Sequence, residues 1–453
     1  ATLITQSERS FMPSSFQVEE WDGIVSFYIE LNDRPIETQE QFEQWLKDWD
    51  ELYAVVSEDM RLKYIKTSID TTDETAKKEL ESYYINISPK IKPWENKLQK
   101  RFEASPLKES LSEDFKNLKR GIEKDLALFT EKNIELSRDL SLMENKYAEI
   151  TGAWSINYEG KDLTMPQASI YFKKVDRQVR EDVYFLARER ENKDAEALDD
   201  LMDQLVSKRH QLALNAGYEN YRDYMFDEKH RFDYSPEDCQ AFHQSVATAI
   251  IPLLRKIGEQ RKASLGLDAL RPWDMVVDPL QQAPLKPFST TEDFVNKTVH
   301  CFNKLDPYFG ACIADMYAKG NLDLESRKGK APGGYMMAMP ESGVPFIFMN
   351  HASSEGDVRV MVHEGGHAIH SFLDYSIPFA NMRNTPSEVA ELASMSMELF
   401  SLENWESYYP NEGDLKRAKR NHLEGLLKIL PGVAKGDAFQ HWMYTNPEHT
   451  RTE

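Results

Sequence analysis

Met361-Val-His-Glu-Gly-Gly-His-Ala-Ile-His370 is the stretch on which the reading of this chain turns. Inside it, His363-Glu364-Gly365-Gly366-His367 has the spacing H-E-x-x-H. On an α-helix, residues four apart share one face, a turn apart. Two imidazoles so placed can reach one zinc ion at about 2.0–2.1 Å. Glu364 can then reach a zinc-bound water and act as its general base. The pattern arises by chance in roughly a few per cent of chains this long, so its flanks must decide.

Val358, Val360, Met361 and Val362 precede the motif, and Ala368, Ile369, Phe372 and Leu373 follow it. This predicts a helix buried on most sides, whose histidines and glutamate need partners. Gly365 and Gly366 each cost about 1 kcal/mol in a helix interior. They suit a place where another backbone comes close. His370 lies roughly 10 Å along the helix from His363. That is too far for a fourth ligand, so His370 is expected to support a ligand or to be structural.

A third histidine ligand in the extended H-E-x-x-H-x-x-G-x-x-H pattern would need Gly at 370 and His at 373, where this chain has His370 and Leu373. A downstream carboxylate is needed instead. Pro378 ends the first helix. Thr385-Pro386-Ser387-Glu388 reads as the start of a second, with Thr385 as N-cap, Pro386 in the first turn and Glu388 closing a capping box. Glu391 follows one turn later, as the one charge in Val389-Ala-Glu-Leu-Ala-Ser-Met-Ser-Met397. A charge in such a run calls for a cation. Glu398 lies two turns beyond, and Asp374 is too far up the first helix. Glu391 is therefore the expected third ligand, in the His₂Glu pattern of catalytic zinc sites. Glu388 could also hydrogen-bond a ligating histidine.

Composition narrows the classes. The 453 residues carry 55 basic and 76 acidic side chains, a net charge of −21. That argues against nucleic acid or an anionic membrane as partner. A hydrophobic content of 41% with eight tryptophans supports a packed core rather than disorder. Cys239, Cys301 and Cys312 are few, odd in number and outside any C-x-x-C spacing, which reads as reduced thiols. Ala1–Ser10 shows no basic-then-apolar leader, and no apolar run suffices for a membrane span. A cytoplasmic location is the expectation.

Along the chain, residues 1–34 read as an extended lead-in. From Thr38 to Ile69, Phe42, Trp45, Leu46, Trp49, Leu52, Tyr53 and Val56 recur at helical spacing and predict a core stripe. Further helices at 73–87, 89–104 and 107–146 complete an antiparallel N-terminal bundle. The period changes to two at Trp154–Tyr158, and Glu159-Gly160-Lys161 supplies a hairpin turn. This places the domains at 1–165 and 166–453. His230 and His243 read as lone structural histidines. Residues 266–291 are proline-rich and include Trp273-Asp274. Arg327–Gly334 is a basic loop without the phosphate-loop pattern. Tyr335–Met339 and Phe346–Asn350 then predict a second hairpin, whose edge strand at Phe346–Asn350 could hold a peptide by backbone hydrogen bonds.

His363-Glu364-Gly-Gly-His367-Ala-Ile-His370, with Pro386-Ser-Glu388-Val-Ala-Glu391, resembles the M3 peptidases and specifically their oligoendopeptidase F branch. The resemblance extends to Leu322–Tyr335, Pro345–Asn350 and Asp437–Pro447. It implies a mainly α fold: a large helical protein with a central substrate channel, a zincin-like HExxH helix pair and small β-hairpins. It implies a zinc metalloendopeptidase acting on short unstructured oligopeptides, with Gly333, Gly334, Tyr335, Phe346, Phe348 and Asn350 lining the substrate site. Members of the family continue past the Thr-Asn-Pro segment, into helices whose tyrosine and histidine contact the substrate carbonyl. No position of this chain matches those two. The resemblance leaves open whether that segment is removed by proteolysis, carried on a separate C-terminal fragment that completes the site, or absent. For a chain truly ending at Glu453, the reading is a catalytically impaired peptide-binding protein.

Overall fold

The computed structural model describes residues 3, 4, 6 and 8–453. The reading of Ala1–Ser10 as lacking a leader rests partly on residues 1, 2, 5 and 7, which lie outside the described residues. The architecture is mainly α, with two small sheets among the described residues. Among the same residues, no helix is long and apolar enough to cross a membrane.

The predicted stripe folds as one helix, Gln39–Ile69. Thr38 opens it by accepting the Gln41 backbone N–H at 3.3 Å. Phe42, Trp45, Leu46, Trp49, Leu52 and Val56 are buried, while Tyr53 stands at the rim of the stripe. The lead-in is not wholly extended, because Trp21–Asp33 is a helix. Its buried Ile24, Tyr28 and Leu31 recur at helical spacing and pack on the same core. Several polar atoms buried there are paired. Trp45 Nε1 donates to the Leu31 carbonyl at 2.8 Å, and Glu95 accepts from Tyr28 at 2.8 Å and Trp49 at 2.9 Å. The helix expected over 107–146 is broken into Lys116–Leu128 and Lys132–Gly152, after 3₁₀ turns at Pro106–Ser110 and Glu113–Phe115.

Strands β1 (Ser155–Tyr158) and β2 (Lys161–Thr164) form the first hairpin, with Ser155 opposite Thr164. Its turn places Glu159 at φ 53° and Gly160 at φ 78°, the pair of positive angles that a two-residue hairpin loop requires. The second sheet differs from expectation. It holds β3 (Leu322–Glu325), β4 (Tyr335–Met337) and β5 (Phe346–His351) in the order β3-β5-β4. β3 runs parallel to β5 and β4 antiparallel to it. β5 is thus the central strand and cannot be the free edge that the sequence suggested. Phe346 and Phe348 are buried in an apolar cluster with Ile65 and Met339. The edge strands are β3 and β4.

A buried lysine holds the loop before β4. Lys330 Nζ donates to the Asp323 and Glu325 carbonyls at 3.0 and 2.9 Å, to Asp323 Oδ1 at 3.0 Å and to the Met349 carbonyl. Burial pulls its ammonium down to about 8, against the opposing pull of Asp323. Asn350 Nδ2 donates to the carbonyls of Ala331 at 2.9 Å and Gly333 at 2.8 Å. Its amide is therefore taken up by the loop rather than turned toward a ligand.

Carboxylates on Gln39–Ile69 grip the segments on either side of the motif helix. Glu58 accepts the backbone N–H groups of Glu341 and Ser342 at 2.7 and 2.9 Å. Asp50 accepts those of Ala380 and Asn381 at 2.7 and 2.8 Å. The proline-rich connection is anchored at Trp273-Asp274, where the fully buried Asp274 takes hydrogen bonds from Arg177 and Arg180 at 2.9–3.0 Å. Against the cost of burial, Arg177, the Arg271 backbone and Arg180 hold its carboxyl down to about 2.

Candidate metal centre

The motif forms a helix, Glu355–Asp374. Asp357 starts it by accepting the backbone N–H groups of Ala352 at 3.1 Å and Ser354 at 2.6 Å. Val358, Met361, Val362, Gly365, Ala368, Ile369 and Phe372 face the core. The paired glycines have separate jobs. A Cβ on Gly366 would lie 2.8 Å from Ser394 Cα and 2.7 Å from Met397 Cβ, on the facing helix Ser387–Leu402. A Cβ on Gly365 would lie 2.7 Å from the Phe302 ring. Gly366 thus lets the two helices approach closely, and Gly365 admits an aromatic core residue.

That approach brings His363, His367 and Glu391 together. Their candidate donor atoms all lie within 4.8 Å of one another. Glu391 Oε2 is 3.2 Å from His363 Nε2, and Oε1 is 3.7 Å from His367 Nε2. Ser394 Oγ donates to Glu391 Oε2 at 3.1 Å. The Glu391 side chain is 53% exposed, so the burial argued from the sequence does not explain its position. Val389 and Leu392 beside it are exposed as well.

The support behind the histidines also differs from expectation. Glu388 is exposed and makes no hydrogen bond to a histidine among the described residues. Thr385 does not cap the helix, whose N-cap position is Pro386. The carboxylate behind the site is Glu398, which is 2% exposed. His363 Nδ1 lies 2.7 Å from Glu398 Oε1. With the proton assigned to Nδ1, His363 donates to Glu398 and its Nε2 lone pair faces Glu391. The other oxygen of Glu398 lies 3.6 Å from the buried His422. His370 pairs with Asp374 at 3.2 Å. It shares with His367 the wall of a cavity of about 190 Å³ that also touches Met336 and Arg383.

Glu364 is 7% exposed and lies against β4, where the Met336 backbone hydrogen-bonds its carboxyl. Burial raises its carboxyl to about 7, with Glu391 and Glu398 adding to the rise and His363 and the Met336 backbone opposing it. A Cβ on Gly334 would lie 3.8 Å from Glu364 Oε1 and 3.2 Å from the Phe348 carbonyl. Gly334 thus lets the loop pass close to the Phe348 carbonyl. Gly333 adopts φ 88°, which favours glycine. Tyr335 stacks on Phe348 with centroids 4.7 Å apart, so its ring packs on the sheet.

The donor set of two imidazoles and one carboxylate beside a buried acid suits a zinc ion with an open position. Residues 170–453 match the model of Peptidase family M3, and residues 11–129 match the Peptidase M3 N-terminal domain. Group B oligopeptidase PepB of Streptococcus agalactiae is 26% identical over 166 residues, 34% of this chain and 27% of that protein. Oligopeptidase PepF of Bacillus subtilis is 24% identical over 200 residues, 44% of this chain and 28% of that protein. The aligned stretches thus span under a third of these relatives. A Bacillus anthracis structure assigned to oligoendopeptidase F has the same fold, with a TM-score of 0.92 at 24% identity, covering 98% of this chain and 82% of that one.

Proposed function

The chain belongs to peptidase family M3, and from that premise we propose that it is a zinc metalloendopeptidase cleaving short unstructured oligopeptides. The observation that carries this reading is the convergence of His363, His367 and Glu391 within 4.8 Å, beside a buried Glu364 raised to about 7. A zinc ion held there supplies a Lewis acid for the substrate carbonyl and an acidified water. Glu364, buried beside the ligands, takes the water proton and returns it to the leaving amine. Glu398 fixes the His363 ring, and Gly366 sets the distance between the ligand-bearing helices. An extended substrate lies along the free edge of β4, recognised by backbone and so with loose side-chain preference. The names of PepB and PepF, both oligopeptidases, support the substrate class. The free thiols of Cys239, Cys301 and Cys312 support a reducing, cytoplasmic setting.

Glu364→Gln tests the assignment. It preserves size and zinc content, and hydrolysis of a quenched fluorogenic peptide should fall at least about 100-fold. Hydrolysis at the wild-type rate by the zinc-loaded variant would refute it.

A further inference from the structure

A second set of metal-ligating side chains lies between the helices Pro236–Ser245 and Glu412–Thr445. Cys239 and His243 stand one turn apart on the first, and Asp437 and His441 one turn apart on the second. The candidate donor atoms of Cys239, Asp437 and His441 lie within 4.8 Å of one another, as tightly grouped as those of His363, His367 and Glu391. His243 Nε2 is 2.6 Å from Asp437 Oδ2, and His441 Nε2 is 3.4 Å from the same oxygen. The two imidazole rings meet edge to face, with centroids 5.7 Å apart.

His441 is the most buried of the three candidate ligands. It is 8% exposed, and its Nδ1 has no hydrogen-bond partner among the described residues. A cation held at the cluster would engage His441 through Nε2, the nitrogen 3.4 Å from Asp437 Oδ2. Cys239 also differs from the other two cysteines. Burial raises all three thiols, and Asp437 adds to the rise at Cys239, but only Cys301 and Cys312 sit in the apolar core. Cys239 is half-buried beside Asp437.

We propose that Cys239, Asp437 and His441 form a second divalent-cation site, with His243 orienting the Asp437 carboxylate. One thiolate, one carboxylate and one imidazole select zinc over magnesium or calcium, which take oxygen ligands. Small side-chain rotations bring the donors to bonds of about 2.0–2.3 Å. The thiol proton leaves to solvent on binding, and the two anionic ligands then neutralise the dication. That balance matters because Arg222 and Arg231 are close by. The bound metal would staple Pro236–Ser245 to the long helix and stabilise the fold in proportion to metal occupancy.

Cobalt substitution of the metal-stripped full chain tests this separately from peptidase activity. The His363–His367–Glu391 centre contains no sulfur, so a thiolate-to-cobalt charge-transfer band can arise only from a cysteine site. The band should appear in the wild type, persist in His367→Ala and vanish in Cys239→Ser. Zinc analysis should show one equivalent fewer in Cys239→Ser than in the wild type. A cobalt-loaded wild type without the band, or a band that survives Cys239→Ser, would overturn the proposal. If Cys239→Ser misfolds, the spectra of the wild type and of Asp437→Asn decide, since loss of the carboxylate should weaken or abolish the band.

Discussion

The two walls of the candidate centre are built in different ways. The metal wall is a pair of helices whose polar groups come from close by in sequence: His363 and Glu398 are 35 residues apart. The wall opposite is the edge of β4, and its supports come from far away: Glu58 holds the Glu341 backbone across 283 residues. Lys330 adds a buried clamp to β3 and β5 from nearer in sequence, 7 and 19 residues away. Ligand geometry is thus encoded locally, whereas the place where a substrate would lie depends on the whole chain being folded. The walls should be separable by mutation, one controlling metal affinity and the other controlling stability and substrate affinity.

The largest separation should come from Lys330→Met. It removes a buried cation from Asp323 and three carbonyls, and should cost about 3 kcal/mol of folding stability in urea titration. Zinc affinity measured on the folded variant should stay unchanged, while KM for a peptide rises. A matching loss of zinc affinity would break the distinction between the walls. Glu398→Gln should do the reverse, weakening zinc about 10- to 100-fold with little loss of stability. Glu388→Gln is its control and should leave zinc affinity as it is. Gly366→Ala should lose about 1–2 kcal/mol in thermal unfolding, because the added methyl meets the Ser394 backbone, outweighing its gain in helix propensity. Gly425→Ala, in open space on the long helix, should instead gain about 0.5–1 kcal/mol. Equal effects at the two glycines would show that the close helix contact is not real.

This division also explains what was legible in the sequence. The His363-Glu364-Gly-Gly-His367 helix, the Gln39–Ile69 stripe and the β1–β2 hairpin are written in local periods of 3.6 and 2 and fold as read. Glu391 stands beside both imidazoles, but desolvation is an incomplete reason for expecting it there. Its apolar neighbours Val389 and Leu392 are exposed, and proximity to both imidazoles places it, not desolvation. Glu398 could have been found, since seven residues after Glu391 is two turns, on the same face of the helix. β3 was missed because a four-residue Leu-Asp-Leu-Glu strand carries little pattern, and its parallel partner begins only at Phe346. That omission turned the central strand into a supposed edge, with Phe346 and Phe348, which are buried, among its expected peptide contacts. His243 looked solitary because its partner, Asp437, is 194 residues away.

The claim beneath all of this is that His363, His367 and Glu391 hold a metal that Glu364 needs for peptide hydrolysis. Following cleavage of a fluorogenic peptide through removal and return of zinc tests it most directly. Activity should disappear as the metal is stripped and return when zinc is restored to the wild type, but not when it is restored to Glu391→Ala. Full activity in protein shown by metal analysis to be zinc-free would contradict the account.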